Sequence, residues 1–376
     1  MNRSTAVSEI PRVKACRPLR NQRAELGRPA LPGEFCALML VPLVCPSCRK
    51  KIVADGLNWK CPACQRAFTN NQGVLSFLTP AERFNESVYE EKQVDAWTGS
   101  ARLRNKIRAS RWLTMLNRIR VRFSLSGRRD RIFWTELQGR RRRDLMILDI
   151  GCGGGRHYFC AYGKVIGVDP VLPLLLMARQ IYDEVYQSSG YNLPFADESF
   201  DYVVSSDVLG HIGAENKDQL FAEIHRVLKP GGRTIHCIEA DSTSPWYRFA
   251  HQYPDLFHLH FVDKPGHIGM ELPSKWRERF LKHGFKEITF KKLASRIQEP
   301  GTIAALFDNE YKAKSRMMRS FVAVDRLLAK CFAVKEALNF FLEPMARLDD
   351  WLAPFDHASG VLVVYEKPTN AGPTHR

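Results

Sequence analysis

The chain has 376 residues, 45% of them apolar, and its 56 Lys and Arg outweigh 40 Asp and Glu to give a net charge of +16. That length accommodates two or three packed domains, and the ordinary composition without repeats or low-complexity tracts excludes fibrous and wholly disordered classes. The longest apolar runs, 37–44 and 171–178, fall far short of the roughly 18 residues that cross a bilayer, and the Arg-rich N-terminus has no signal-like apolar stretch. A cytoplasmic protein is therefore expected.

Charge is not spread evenly. Residues 101–143 carry 15 Lys or Arg against Asp130 and Glu136, so this one segment holds +13 of the total. Residues 1–34 contain Pro11, Pro18, Pro29 and Pro32 with seven basic residues and almost no aromatic side chain, and they read as a disordered tail. Residues 35–78 hold Cys45-x2-Cys48-x12-Cys61-x2-Cys64 between short apolar stretches, which reads as a small β-rich knuckle. Four thiolates from two tight turns suit a closed tetrahedral Zn2+ site, structural because it leaves no open position for a catalytic water. A redox pair would instead need a single C-x-x-C on a βαβ unit.

Residues 79–143 follow as a basic helical connector, in which Trp112, Leu116, Ile119 and Phe123 recur at one-stripe spacing among arginines. The arginines could meet RNA phosphates or the headgroups of a membrane surface, or be a solvated face.

From residue 144 the texture alternates between strand and helix, the pattern of a doubly wound α/β sheet. Strands are expected at 145–150, 165–168, 201–206, 233–238, 285–290 and 360–365, and helices around 220–228 and 274–283. Residues 144–292 form the core, 293–358 a helical insertion or cap, and 359–368 the returning final strand. The first strand ends in Gly151-Cys152-Gly153-Gly154-Gly155 and the second in Asp169, a nucleotide-binding geometry: glycines let the backbone approach the ligand and the acid can accept from a ribose diol. Arg156 stands where the dinucleotide fingerprint needs its third glycine, and no G-K-[ST] ends the run, so dinucleotide and Walker-type sites are both disfavoured.

The run Leu148 to Arg156 resembles motif I of the class I S-adenosylmethionine (SAM) methyltransferases, and Gly167-Val168-Asp169 is similar to the acidic end of their second strand. Leu193 to Asp201 and Arg226 to Gly232 are similar to the segments entering their fourth and fifth strands, which places four motifs in order within 145–240. The type 11-like branch is the nearest pattern. The cysteine segment resembles the zinc ribbons that precede many such domains, including rRNA guanine methyltransferases, although those usually have His as the fourth ligand and this chain has Cys64. The resemblance implies a Rossmann-like seven-stranded sheet with its last strand antiparallel. It also implies SAM as cosubstrate, with Asp149, Gly151, Cys152 and Gly153 along the methionine part and Asp169 on the ribose. Ser189, Asn192 and Leu193 fall on the adenine side, where relatives often carry an Asp that this chain lacks.

By the same resemblance, His211 and Asp207 lie near the transferred methyl as candidate general bases, with Glu239 and Asp241 facing the same cleft. Four of the eleven histidines, His251, His258, His260 and His267, fall within 17 residues, but their spacing matches no ligand pattern and they read as lining an acceptor pocket or as structure. The aromatic-rich stretch from residue 241 onward (Trp246, Tyr247, Phe249, Phe257, Phe261, Trp276) can wall off such a pocket. The expected function is methyl transfer to a small-molecule, glycan or lipid-linked acceptor. The alternatives are an RNA base methyltransferase that grips RNA through 101–143 and a non-catalytic SAM- or partner-binding module.

Overall fold

The computed structural model describes residues 39–55, 58–79, 82, 115, 119–138 and 145–369. The tail at 1–34, Trp112, Leu116 and Arg140 to Arg143 lie outside the described residues.

Four short strands come first: β1 (Val53–Asp55), β2 (Asn58–Lys60), β3 (Ala67–Asn71) and β4 (Val74–Ser76). After α1 (Arg128–Gln138) come β5 (Leu145–Ile150), β6 (Gly163–Asp169), α2 (Leu172–Ala178), β7 (Glu184–Gln187), β8 (Phe200–Ser206), α3 (Ala214–Val227) and β9 (Leu228–Glu239). Next are α4 (Pro245–His251), α5 (Pro254–Phe257), α6 (Pro273–Lys282) and β10 (Lys286–Leu293). Four helices, α7 (Thr302–Phe307), α8 (Tyr311–Lys314), α9 (Arg316–Lys330) and α10 (Phe332–Leu352), precede β11 (Gly360–Glu366).

All eleven strands form one sheet in the order β1-β2-β3-β4-β7-β6-β5-β8-β9-β11-β10. The seven from β7 to β10 are the expected doubly wound sheet: β7, β6, β5, β8 and β9 pair in parallel, and β11 inserts antiparallel between β9 and β10. The strands β5, β6, β8 and β11 are almost wholly buried, as a sheet covered on both faces requires, while β10 forms the open edge. One face packs on α3 and α6 through Phe221, Ile224, Trp276 and Phe280, the other on α1 and α2 through Phe133, Leu137, Leu175 and Ala178. The order reverses at β5, whose neighbours are β6 and β8, and the loops beyond these strand ends form the switch-point crevice of such sheets.

Three features depart from the sequence reading. First, β7 follows a short, half-polar stretch that gives no strand signal; it forms because β6 and β4 flank it on both sides. Second, the cysteine-bearing hairpins are continuous with the sheet. β4 pairs in parallel with β7, Leu43 bridges to Phe195, and Ile52, Trp59, Phe68 and Phe77 share one core with Tyr186 and Phe195. Third, the connector is not one amphipathic rod. The helical stretch at 119–123 leaves Ile119 and Phe123 exposed, the chain bends through a single 3-10 turn at Leu125–Gly127, and α1 then buries Ile132, Phe133 and Leu137 in the core. Each of those side chains contributes on the order of 2 kcal/mol.

The region between β10 and β11 is helical as expected. Phe307, Tyr311, Met318 and Val322 form a separate cluster with Tyr247, Phe257 and Phe261 over the carboxyl ends of the strands. The outer faces of α9 and α10 leave large apolar side chains in solvent, including Met317, Leu327, Phe332, Phe341 and Trp351. No helix among the described residues is long and apolar enough to cross a membrane.

Candidate functional site

β5 delivers the chain to its glycine run at the crevice. Gly151, Gly153 and Gly155 all have positive φ (63°, 51° and 82°), and a Cβ on Gly151 would stand 2.4 Å from Val208 Cγ2, so both backbone conformation and space demand glycine there. Cys152 is buried, its N–H donates to the Val168 carbonyl, and its side chain packs against β6, as expected of a small residue in a tight space. The loop is locked to β6 by Asp169, whose carboxylate accepts from Gly153 N (2.9 Å) and Val171 N (2.9 Å). These bonds fix the carboxylate at the lip of the sheet.

Asp149 is 3% exposed and accepts a 2.6 Å hydrogen bond from the Tyr182 hydroxyl, which in turn accepts from Arg156 N. Burial pushes its pKa up to about 7, even though the Tyr182 hydroxyl and the nearby Arg156 guanidinium favour the anion. A buried carboxyl in that condition is stabilised by any cation brought against it.

At the far end of the cradle, Ser189 and Asn192 meet a residue that sequence reading did not connect with them. Glu82 accepts from the Ser189 hydroxyl (2.5 Å) and from Asn192 Nδ2 (3.0 Å) with one oxygen, and from Thr79 N (2.7 Å) with the other. Burial alone would raise the Glu82 pKa, but the bonds from Ser189, Thr79 and Asn192 hold it below its ordinary value. Leu193 is fully buried, and its N–H donates to Glu223, the carboxylate that also binds Arg49 and Arg226. Its side chain belongs to the core, leaving Ser189 and Asn192 as the polar groups at that edge.

The opposite end gathers charged groups. Asp207, with φ 58° just past β8, accepts from Arg129 Nη1 at 2.6 Å and from Ser206 Oγ at 3.0 Å. Arg129 belongs to the basic segment, yet it projects into this cleft beside Asp207 and Glu239. His211 donates Nδ1–H to the Gly266 carbonyl (3.0 Å), and its Nε2 faces Glu239 Oε2 at 3.7 Å. Burial, reinforced by His267, lowers the His211 pKa. His267 approaches the same carboxylate, with Nε2 2.6 Å from Glu239 Oε2. Asp241 pairs with His251 (2.9 Å), and His260 with Glu310 (2.5 Å). The four histidines of the sequence cluster thus disperse, and only His267 joins the cleft residues.

The thiols of Cys45, Cys48, Cys61 and Cys64 converge from two equivalent turns. In each, the first Cys N–H donates to a carbonyl five residues on (Lys50, Arg66) and its carbonyl accepts from the residue four on (Arg49, Gln65), which has positive φ. Sγ atoms stand 3.3 Å apart for Cys48 and Cys61 and 3.6 Å for Cys45 and Cys64, near the roughly 3.8 Å edge of a tetrahedron with 2.3 Å metal–sulfur bonds. Burial raises the Cys61 pKa, but backbone N–H donors from Cys64 and Ala63 and the Cys48 thiol outweigh it and bring it down to about 7. The donor set and its spacing fit zinc.

Residues 148–236 match a family described as "Methyltransferase domain". The chain is 29% identical over 178 residues to a demethylmenaquinone methyltransferase of Lactiplantibacillus plantarum, covering 39% of this chain and 72% of that protein. It is 35% identical over 107 residues to a tRNA (carboxymethyluridine(34)-5-O)-methyltransferase of Arabidopsis thaliana, covering 26% of each. The chain spans about a fifth to a quarter of the tRNA methyltransferase relatives it matches. Among solved structures, a Haemonchus contortus phosphoethanolamine N-methyltransferase 2 bound to SAM is 20% identical with a TM-score of 0.39, covering 62% of this chain and 52% of that one.

Proposed function

Residues 148–236 are a SAM-dependent methyltransferase domain, and from that premise we propose that the protein methylates a small-molecule, glycan or lipid-linked acceptor by single in-line displacement. The observation that carries the reading is the cradle of Asp149, Gly151, Cys152, Gly153 and Asp169. Asp149 lies buried where a cationic amine would relieve it, and Asp169 is braced by two N–H groups where a diol would bind. Ser189 and Asn192, carrying Glu82 with them, take the adenine end.

SAM supplies a methyl on sulfonium, already an activated leaving group. The residues of the cleft therefore need mainly to orient the acceptor and exclude water. The aromatic cluster of Tyr247, Phe257, Phe261 and Phe307 supports an enclosed acceptor site, with residues 293–358 acting as the cap. Of the two candidate bases, Asp207 is engaged by Arg129, while His211 is held with its Nε2 toward the cleft, so His211 is the better proton acceptor. Cys45, Cys48, Cys61 and Cys64 would hold one structural Zn2+ within residues 35–78.

The exposed apolar faces of α9 and α10, rimmed by Arg316, Arg319, Lys330 and Lys335, favour the lipid-linked end of this acceptor range and peripheral contact with a membrane. The second reading, RNA base methylation, draws on the tRNA methyltransferases among the relatives. Against it, Arg128 and Arg131 of the basic segment are used in ion pairs within the protein.

The test is transfer from radiolabelled SAM into a lysate of cells lacking the gene, fractionated into RNA, lipid and small solutes. Label in lipid or solute is expected; label that RNase releases would replace the first reading with the second, and binding of SAM with no transfer would leave a non-catalytic module.

A further inference from the structure

One cluster in the cleft has more ligating capacity than proton transfer requires. His211, Glu239 and His267 come from three separate elements: the turn after β8, the carboxyl end of β9, and the loop beyond the π-helical turn His258–Asp263. Their ligand atoms all lie within 4.8 Å of one another.

Both imidazoles are oriented in the same way. A carbonyl can only accept, so His211 donates Nδ1–H to Gly266 O (3.0 Å) and His267 donates Nδ1–H to Phe261 O (3.2 Å). That fixes the tautomer of each neutral ring and turns both Nε2 lone pairs toward Glu239, the outer-sphere arrangement typical of metal-binding histidines. Two nitrogen lone pairs and a carboxylate oxygen from three elements thus converge as a donor set for one cation, with Nε2 of His267 at 2.6 Å and Nε2 of His211 at 3.7 Å from the same Glu239 oxygen.

The backbone is shaped to bring the loops together. Gly269 N donates to Gly210 O (2.9 Å), and a Cβ on Gly269 would stand 1.8 Å from the Ile212 carbonyl, so only glycine lets the His267 loop close on the His211 turn. A tetrahedral cation with bonds of 2.0–2.2 Å needs ligand atoms roughly 3.3 Å apart. The 2.6 Å and 3.7 Å separations bracket that value and reach it by side-chain adjustments of well under 1 Å.

We propose that His211, Glu239 and His267 bind a divalent first-row transition-metal cation at the mouth of the cleft, where it takes an oxygen of the acceptor as a further ligand. Two imidazoles and one carboxylate suit Zn2+, Fe2+, Co2+ or Mn2+ better than Mg2+ or Ca2+, and three protein ligands leave positions open, as in catalytic rather than structural sites. The role, though not the site, rests on the methyltransferase reading. An acceptor hydroxyl bound to the cation releases its proton to solvent, so with the cation in place His211 is a ligand and does not serve as the base. Its oxygen then forms the new O–CH3 bond as the S–CH3 bond breaks and its electron pair returns to sulfur, leaving a neutral thioether. The acceptor class this implies is one with a hydroxyl or enol oxygen.

The experiment uses the full chain, loaded with zinc at its cysteines, and titrates Mn2+ alone by electron paramagnetic resonance, because Mn2+ avoids thiolates and reports only the N/O site. About one Mn2+ per chain is expected, with His267→Ala and Glu239→Gln each weakening it by at least about a hundredfold. His258→Ala, from the same segment, should leave it unchanged. The melting temperature and SAM binding of each variant are measured alongside, so that lost metal is not confused with lost fold. Absence of Mn2+ binding by the wild-type chain, or undiminished binding by a folded His267→Ala chain, overturns the site. If SAM binding persists in that event, the metal alone is refuted; if the wild-type chain binds neither SAM nor metal, it is the methyltransferase reading that fails.

Discussion

The condition of Asp149 makes a quantitative statement about cofactor affinity. A shift from 3.8 to about 7, at about 1.4 kcal/mol per unit, means that ionising this carboxyl in the ligand-free protein costs roughly 4 kcal/mol more than in water. A ligand ammonium favours the anion, so protonation of Asp149 competes with binding. The ionised fraction is about one half at pH 7 and one hundredth at pH 5, so the Kd for SAM should rise about fifty-fold over that interval, which lies below the range where an α-amino group itself titrates. Isothermal titration calorimetry in two buffers of different ionisation enthalpy measures both the Kd and the half proton released at pH 7. Asp149→Asn should bind weakly with a flat pH profile. Tyr182→Phe removes the 2.6 Å hydrogen bond that favours the anion and should move the midpoint up by about one unit or more. Because the folded-state pKa is raised, the ligand-free protein binds more protons folded than unfolded between pH 4 and 7, so its stability falls as pH rises through that window and levels off above it. A Kd that does not change between pH 5 and 7 would refute both the buried state of the carboxyl and its place beside the amine.

Other perturbations test the remaining parts. Asp169→Ala leaves Gly153 N and Val171 N without their acceptor and should weaken SAM binding at least about a hundredfold by equilibrium dialysis; retained affinity would remove Asp169 from the site. Glu82→Ala should weaken SAM binding about tenfold if Ser189 and Asn192 form the adenine end, while leaving the melting temperature within a few degrees. Replacing Cys45 and Cys61 by Ser should release one zinc per chain and lower the melting temperature while SAM still binds; unchanged zinc by mass spectrometry would refute the ribbon. Arg128→Ala takes from Asp350 the guanidinium it meets at 2.5 Å, while Glu343 keeps Arg131 and Arg347, and should cost about 1.5–3 kcal/mol in urea denaturation; a loss under 1 kcal/mol would refute a net stabilising role for Arg128.

The core of the fold was legible because its signals are local. β5, β6, β8, β11 and the second half of β9 are short apolar runs that end in, or run into, glycine or acid, and α3 and α6 carry helical spacing, so each could be placed from its own residues. β7 could not, since Glu184-Val185-Tyr186-Gln187 is a strand only by virtue of its two neighbours. The residues proposed for the SAM cradle could be picked out for the same reason, since they lie within one strand-turn and the strand after it. The His211, Glu239 and His267 cluster was not: each residue is 28 positions from the next, and no spacing rule spans three elements that meet only when the sheet closes. The one hint was the density of histidine after β9, of which a single member, His267, joins the proposed site.

The N-terminal segments show why domain boundaries drawn from composition can misplace function. The arginine-rich stretch reads as either a surface for a phosphate-bearing partner or a solvated face. In the folded chain, Arg128 and Arg131 close on Glu343, Arg129 reaches Asp207, and α1 covers one face of the sheet. Likewise the cysteine segment reads as a separate module, yet β4 extends the sheet beside β7, Arg49 binds Glu223 beneath Leu193, and the chain leaving the ribbon brings Glu82 to Ser189 and Asn192. The N-terminal portion therefore touches both ends of the crevice proposed for the cofactor, Glu82 at one and Arg129 at the other. Neither residue belongs to the 148–236 segment that the family match covers. Both thus lie outside the family match, at the two places where the structure folds the N-terminal portion back onto the core.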